Sequence, residues 1–191
     1  MSKYQDPAVK VTCPDEALKL LKEGNARFVA NNLVAPNHPE ALQKTGGQQS
    51  PFASILTCAD SRCSPEIYFD QGTGNVFVCR NAGNFADREA IGSFQFAAAV
   101  LGSQITVVVG HTGCGAVMHA HADTAGGGTL PAELTGVLND LRPIVKDAAD
   151  WNSDGLELNV NAQVAALKAA IPGHPVYGAI YDVATGAVKW L

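Results

Sequence analysis

The sequence predicts an α/β fold with a central, mainly parallel β-sheet flanked by helices. Three observations carry this expectation. The runs at 52–57, 75–79 and 105–110 are short and nearly continuously apolar, the pattern of strands buried on both faces. A helix-patterned segment at 87–101 separates the second run from the third, which gives a strand–helix–strand unit. The length of 191 residues suits one domain with a substantial core. Residues 1–191 are therefore expected as a single domain, with 1–35 forming an N-terminal helical arm.

Taken in order, Thr12-Cys13-Pro14-Asp15-Glu16 opens a helix, with Thr12 as cap, Pro14 in the first turn and acids at the positive end of the dipole. Leu18, Leu20, Leu21, Phe28 and Val29 give it an apolar stripe running to about Ala30. Residues 31–50, rich in Asn, Pro, Gly and Gln, read as a long surface connection. Pro51 bounds the first strand, and the helix at 87–101 ends at Gly102. Further helices are expected at 132–148, bent by Pro143, and at 156–171, stopped by Pro172-Gly173. Residues 176–181, a Thr185-Gly186 turn and 187–191 close the chain as a strand pair at a sheet edge.

Hydrophobic residues at 47% and charged residues at 16% are those of a globular enzyme with few charges, and the 19 glycines point weakly toward burial against copies of itself. A net charge of −5 with scattered Lys and Arg argues against nucleic acid and anionic membrane as partners. Met1 to Lys10 has no apolar signal region, and no apolar stretch approaches the roughly 18 residues of a membrane span. Five cysteines then read as reduced thiols and metal ligands, with a cytoplasmic location expected.

Cys58-Ala59-Asp60-Ser61-Arg62 follows the first strand, and His111-Thr112-Gly113-Cys114 follows the third. In open parallel sheets, chemistry gathers at the carboxyl ends of strands, so the two segments are expected to converge. Two thiols and an imidazole are the Cys₂His zinc set that leaves a fourth position open. Asp60 and Arg62 beside it suit metal-assisted hydration or hydrolysis. Cys13, Cys63 and Cys79 read as small buried or half-buried residues. His119 and His121 read as solvated side chains before proton relays, His38 and His174 as loop residues, and Asp87-Arg88-Glu89 as a helix start.

These two motifs, in this order, resemble the β-class carbonic anhydrases. Gln49-Ser50-Pro51, Phe69-Asp70-Gln71-Gly72 and Val78-Cys79-Arg80-Asn81-Ala82-Gly83-Asn84 add to the resemblance, which spans nearly the whole chain. It implies reversible hydration of carbon dioxide to bicarbonate and a proton by zinc-bound hydroxide. One zinc ion per chain would be held by Cys58, His111 and Cys114, with Asp60 and Arg62 as the orienting dyad. Two thiolates would acidify bound water less than three histidines do, so activity is expected to rise above neutrality. Gln49, Phe77, Ala82, Phe96 and the Gly115 amide would bind substrate, and Phe96 stands where a Tyr is often found, without its hydroxyl. Ile55 and Thr57 replace the Trp and Gly of the bicarbonate-regulated subgroup, which implies the plant-like subgroup with an open site. The resemblance also implies a homodimer or dimer of dimers, with the N-terminal helix packing on a neighbouring subunit. The rival on the same scaffold is a carbonyl sulfide or carbon disulfide hydrolase. A zinc protein without turnover leaves the dyad without a purpose, and a Cys114–His111 nucleophile enzyme leaves Cys58 unexplained.

Overall fold

A computed structural model describes residues 6, 10–35, 38–123 and 130–191, apart from the side chains at positions 38 and 40. Its centre is a five-stranded sheet in the order β2-β1-β3-β4-β5. The strands are β1 (Ala53–Cys58), β2 (Val76–Asn81), β3 (Ile105–His111), β4 (Val176–Tyr181) and β5 (Val188–Trp190). The first four pair in parallel and β5 is antiparallel to β4 at the edge. Every residue of β1 and β3 is buried, as their unbroken apolar runs require of strands covered on both faces. Leu56, Val108 and Ile180 face one hydrophobic layer, while Ile55, Val107, Val109 and Ala179 face the other, the alternation that a two-residue period imposes.

The helices are α1 (Pro14–Val29), α2 (His38–Thr45), α3 (Pro65–Tyr68), α4 (Arg88–Phe96), α5 (Gly115–His121), α6 (Ala132–Val145) and α7 (Asp154–Ala170). Asp87 caps α4 by accepting from the Ala90 amide at 2.7 Å, so the 87–89 helix start stands. A π-helical turn, Ala97–Leu101, extends α4 to Gly102, whose φ of 72° closes it in the left-handed conformation.

Three expectations need correction. Residues 31–50 contain α2, which the Asn, Gly and Gln content concealed. The N-cap of α1 is Cys13, with no side-chain cap, so Thr12 does not cap it. Standing ahead of the first turn, Cys13 is exposed, not buried. The inner face of α1, for its part, packs on its own chain. Ala17 and Leu21 are fully buried there, and burying a Leu side chain contributes roughly 2 kcal/mol. Gly24 permits the close approach: a Cβ at that position would lie 1.7 Å from the Phe69 carbonyl oxygen. Asn25 donates to the carbonyls of Tyr68 (2.9 Å) and Gly186 (2.8 Å) and accepts from the Val188 amide (2.9 Å). It thus ties α1 to both α3 and the terminal hairpin.

His174 is more than a loop residue. Its Nε2 lies 3.0 Å from Thr106 Oγ1, which is 2.8 Å from Ser54 Oγ, and both hydroxyls are on fully buried residues. Burial lowers the His174 pKa, so the folded chain favours neutral imidazole. The unfolded chain takes up a proton near its ordinary value of about 6.5. The stabilisation is then complete above that pH and is lost as pH falls toward the folded value. Urea midpoints measured from pH 7 to pH 5 should therefore fall more steeply for the wild type than for His174→Asn. Parallel pH dependences would count against this assignment.

Candidate metal centre

The site forms where two neighbouring strands end together. Thr57 of β1 stands opposite Val109 of β3, so Cys58 and His111 leave the sheet at the same edge. After His111 the chain turns through Gly113, at a φ of 72°, and returns Cys114 to the start of α5. Such a φ costs a side chain energy and glycine little. Asn152 in the α6–α7 connection fixes this turn by accepting from the Gly113 amide at 2.6 Å. The Thr112 amide donates to the Tyr181 carbonyl (3.0 Å), and Thr112 Oγ1 accepts from the Val183 amide (3.1 Å).

Cys58, His111 and Cys114 are all buried, and their ligand atoms lie within 4.8 Å of one another. Zinc bonds of about 2.3 Å to sulfur and 2.0–2.1 Å to nitrogen fit a cluster of that size. His111 Nδ1 lies 3.0 Å from the Thr112 carbonyl oxygen. A carbonyl only accepts, so Nδ1 carries a proton, and in the neutral ring it is Nε2 that presents the lone pair to a metal. That Nε2 is buried without a hydrogen-bond partner, a costly state for a polar atom unless something binds it.

The electrostatics favour a cation at the same point. The Cys114 thiol holds the Cys58 pKa down to about 4, against the opposing effect of burial. The contact with Cys58, together with burial, pushes Cys114 up. Without an ion the pair carries one negative charge, and a divalent cation lets both thiols ionise. Burial pulls the His111 pKa down, but Cys58 and Cys63 beside it outweigh burial and raise it to about 10. The Cys58 thiolate thus draws positive charge to this point, a proton on the imidazole or, in its place, a metal ion.

At the rim, Arg62 grips the Asp60 carboxylate with both faces of its fork: Nε to Oδ1 at 2.9 Å and Nη2 to Oδ2 at 2.7 Å. The Arg62 amide adds a third bond to Oδ1, at 2.9 Å. These bonds hold the Asp60 carboxyl well below the usual carboxylate range. Arg80, at the end of β2, reaches across to the carbonyls of Cys58 (3.1 Å) and Asp60 (2.6 Å). The sequence shows Arg80 within a motif without revealing a task for it. Its position opposite Thr57 in the strand register would have placed it here.

The other predicted site residues divide into two groups. Ala82 directly follows β2 and Gly115 directly follows Cys114, so both flank the centre. Gln49, Phe77 and Phe96 do not join it within one chain. Gln49 precedes β1 and lines a cleft with Val100 and Leu101. Phe77 pairs with Ser54, four rungs from Cys58, or roughly 13 Å along the strand. Phe96 ends α4, 45% exposed. Of the remaining thiols, Cys63 is fully buried and Cys79 half-buried, as expected. His119 is exposed, and His121 is half-buried, with Nε2 3.0 Å from the Ala148 carbonyl oxygen.

Fold and site together define an α/β protein whose Cys₂His cluster, able to hold a metal ion, lies at the carboxyl ends of parallel strands. The carbonic anhydrase family model matches residues 53–188, and the chain belongs to this family, in its β class. Carbonic anhydrase 2 of Mycobacterium tuberculosis is 47% identical over 124 residues, covering 63% of this chain and 58% of that protein. This chain therefore spans under two thirds of that relative's length. A carbonic anhydrase of Pseudomonas aeruginosa is 31% identical over 182 residues, 82% of this chain and 80% of that protein. The fold is similar to that of the Coccomyxa β-carbonic anhydrase in complex with acetazolamide. That match has a TM-score of 0.71 and 26% identity, over 95% of this chain and 87% of the other. The family's members are zinc enzymes, and the donor set found here fits that ion.

Proposed function

We propose that this protein reversibly hydrates carbon dioxide to bicarbonate and a proton, with zinc held by Cys58, His111 and Cys114. The observation that carries the reading is the buried, unpartnered His111 Nε2 facing two buried sulfurs, with a bidentate Asp60–Arg62 pair at the rim. The ion, when bound, acts as a Lewis acid that brings the pKa of its water from 15.7 toward neutrality. Asp60, kept ionised by Arg62, is an acceptor that takes a hydrogen bond from the reacting water and so aims its lone pair. Arg62 is 53% exposed on its side chain and Asp60 20%, so the pair stands between the centre and solvent. Ala82 supplies apolar wall and the Gly115 amide a donor for substrate oxygen.

Gln49, Phe77 and Phe96 complete the substrate pocket only if a second copy of the chain brings them to the centre. Phe96 and Val100, 45% and 66% exposed, give that end of the molecule an apolar surface suited to such a contact. The homodimer is thus part of the proposal, through that end of the sheet and not through the inner face of α1. No helix among the described residues is long and apolar enough to cross a membrane.

Stopped-flow carbon dioxide hydration, measured against pH with zinc determined on the same sample, tests the reading. About one zinc per chain is expected, with a rate rising smoothly above neutrality as a single group ionises. Because Asp60 pairs with Arg62, a steep cooperative profile is not expected. A zinc-loaded protein inert toward carbon dioxide, but active on carbonyl sulfide, would overturn the assignment.

A further inference from the structure

We infer that Arg80 is a positioning residue that sets the aim of the Asp60–Arg62 pair by clamping the backbone between the first metal ligand and the dyad. The inference rests on the function proposed above. β1 ends at Cys58, and the last rung of its ladder with β2 is the bond from the Ala59 amide to the Asn81 carbonyl, at 3.0 Å. Beyond that rung, the Asp60 backbone has no strand to hold it. Its carbonyl instead accepts from the Cys63 amide at 3.0 Å and from Arg80 Nη2 at 2.6 Å. Arg80 Nε takes the Cys58 carbonyl at 3.1 Å. One planar fork thus spans two carbonyls on either side of Ala59 and fixes how Asp60 is presented relative to Cys58.

The neighbouring acids do not compete for this guanidinium. Asp87 is engaged by the Ala90 amide (2.7 Å) and by Asn81 Nδ2 (3.0 Å), and Glu89 pairs with Arg88 at 3.0 Å. The Asp60–Arg62 bonds are internal to one turn and survive without Arg80. What is lost is the orientation of that turn against the strand end. Arg fits this task better than Lys, because an ammonium is a point donor and cannot hold two divergent acceptors in one plane.

The test compares zinc-loaded wild type, Arg80→Ala, Arg80→Lys and the surface control Arg88→Ala. Arg80→Ala should keep its zinc and its KM while kcat falls about tenfold, the kinetic equivalent of about 1.4 kcal/mol. Arg80→Lys should fall between them, millimolar guanidinium should restore part of the alanine variant's rate, and Arg88→Ala should match wild type. Independently of any substrate, amide exchange at Cys63, whose N–H shares the Asp60 carbonyl with Arg80, should accelerate in Arg80→Ala. A wild-type kcat in Arg80→Ala, or activity lost only in step with zinc, would overturn the inference. Should wild type itself prove inert toward carbon dioxide, the proposed function fails, and unchanged exchange at Cys63 would then overturn the clamp separately.

Discussion

Replacing His111 with alanine should release zinc and abolish carbon dioxide hydration, and Cys58→Ala or Cys114→Ala should do the same. The three ligand atoms are the only His/Cys/Asp/Glu set among the described residues that converges on one point with every member buried. Losing any one leaves two protein ligands where a catalytic zinc centre uses three. The loss of function should be complete and not partial, because the Lewis acidity of the ion resides nowhere else. The fold should outlast the metal better than the activity does. Leu56, Val108, Leu141 and Val160 belong to a large apolar core in which Cys58 and Cys114 are only two members, so most of its burial does not depend on the ion, unlike small domains whose folding does. Metal content by mass spectrometry, beside circular dichroism, separates the two effects. Cys79→Ala is the control, since that thiol stands outside the cluster. Full zinc retention in any of the three variants would remove that residue from the ligand set.

Asp60→Asn should retain zinc and lose roughly 10²–10⁴ in turnover, the usual size of positioned acid–base assistance. The amide keeps the shape of the carboxylate but cannot accept from both donors of the Arg62 fork and from water with full charge. Arg62→Ala should fall within the same range for the complementary reason: Asp60 remains but loses the bonds that keep it ionised and aimed. The double variant should cost little more than either single one, because the two residues act as a unit. With the Asp60 carboxyl held well below the usual carboxylate range by Arg62, the pair is intact above the ordinary carboxylate pKa of about 4 and is lost only in stronger acid. The wild-type rate profile near neutrality should therefore show no titration of Asp60. Full turnover in Asp60→Asn at every pH would remove the dyad from the mechanism.

The metal centre was legible in the sequence because its chemistry is local in two places. A thiol with Asp and Arg at fixed offsets follows one apolar run, and a His-x-x-Cys turn follows another. Parallel strands bring such ends together by rule. The strands were legible for a related reason, since burial on both faces leaves a continuous apolar run that short-range reading detects. Gly102 and Asp87 likewise marked the ends of α4 through capping chemistry that acts within one turn.

Other features depended on packing that leaves no local trace. The apolar stripe of α1 was visible, but not the surface that it covers. That surface was decided by Gly24 fitting against the Phe69 carbonyl and by Asn25 bonding to Gly186, 161 positions away. Gln49, Phe77 and Phe96 were legible as residues, yet their places relative to Cys58, His111 and Cys114 follow from the fold, for Phe77 from its register opposite Ser54. Arg80 gained its carbonyl partners only because β2 lies beside β1 with Arg80 opposite Thr57. Sequence by itself determined which side chains could do chemistry and which segments form strands, because ligand type and hydrophobic period are properties of a residue and its near neighbours. Tertiary structure alone decided which backbone groups those side chains hold and which faces meet. Such contacts join residues far apart in the chain, and their energies depend on register and close approach, quantities that no local pattern encodes.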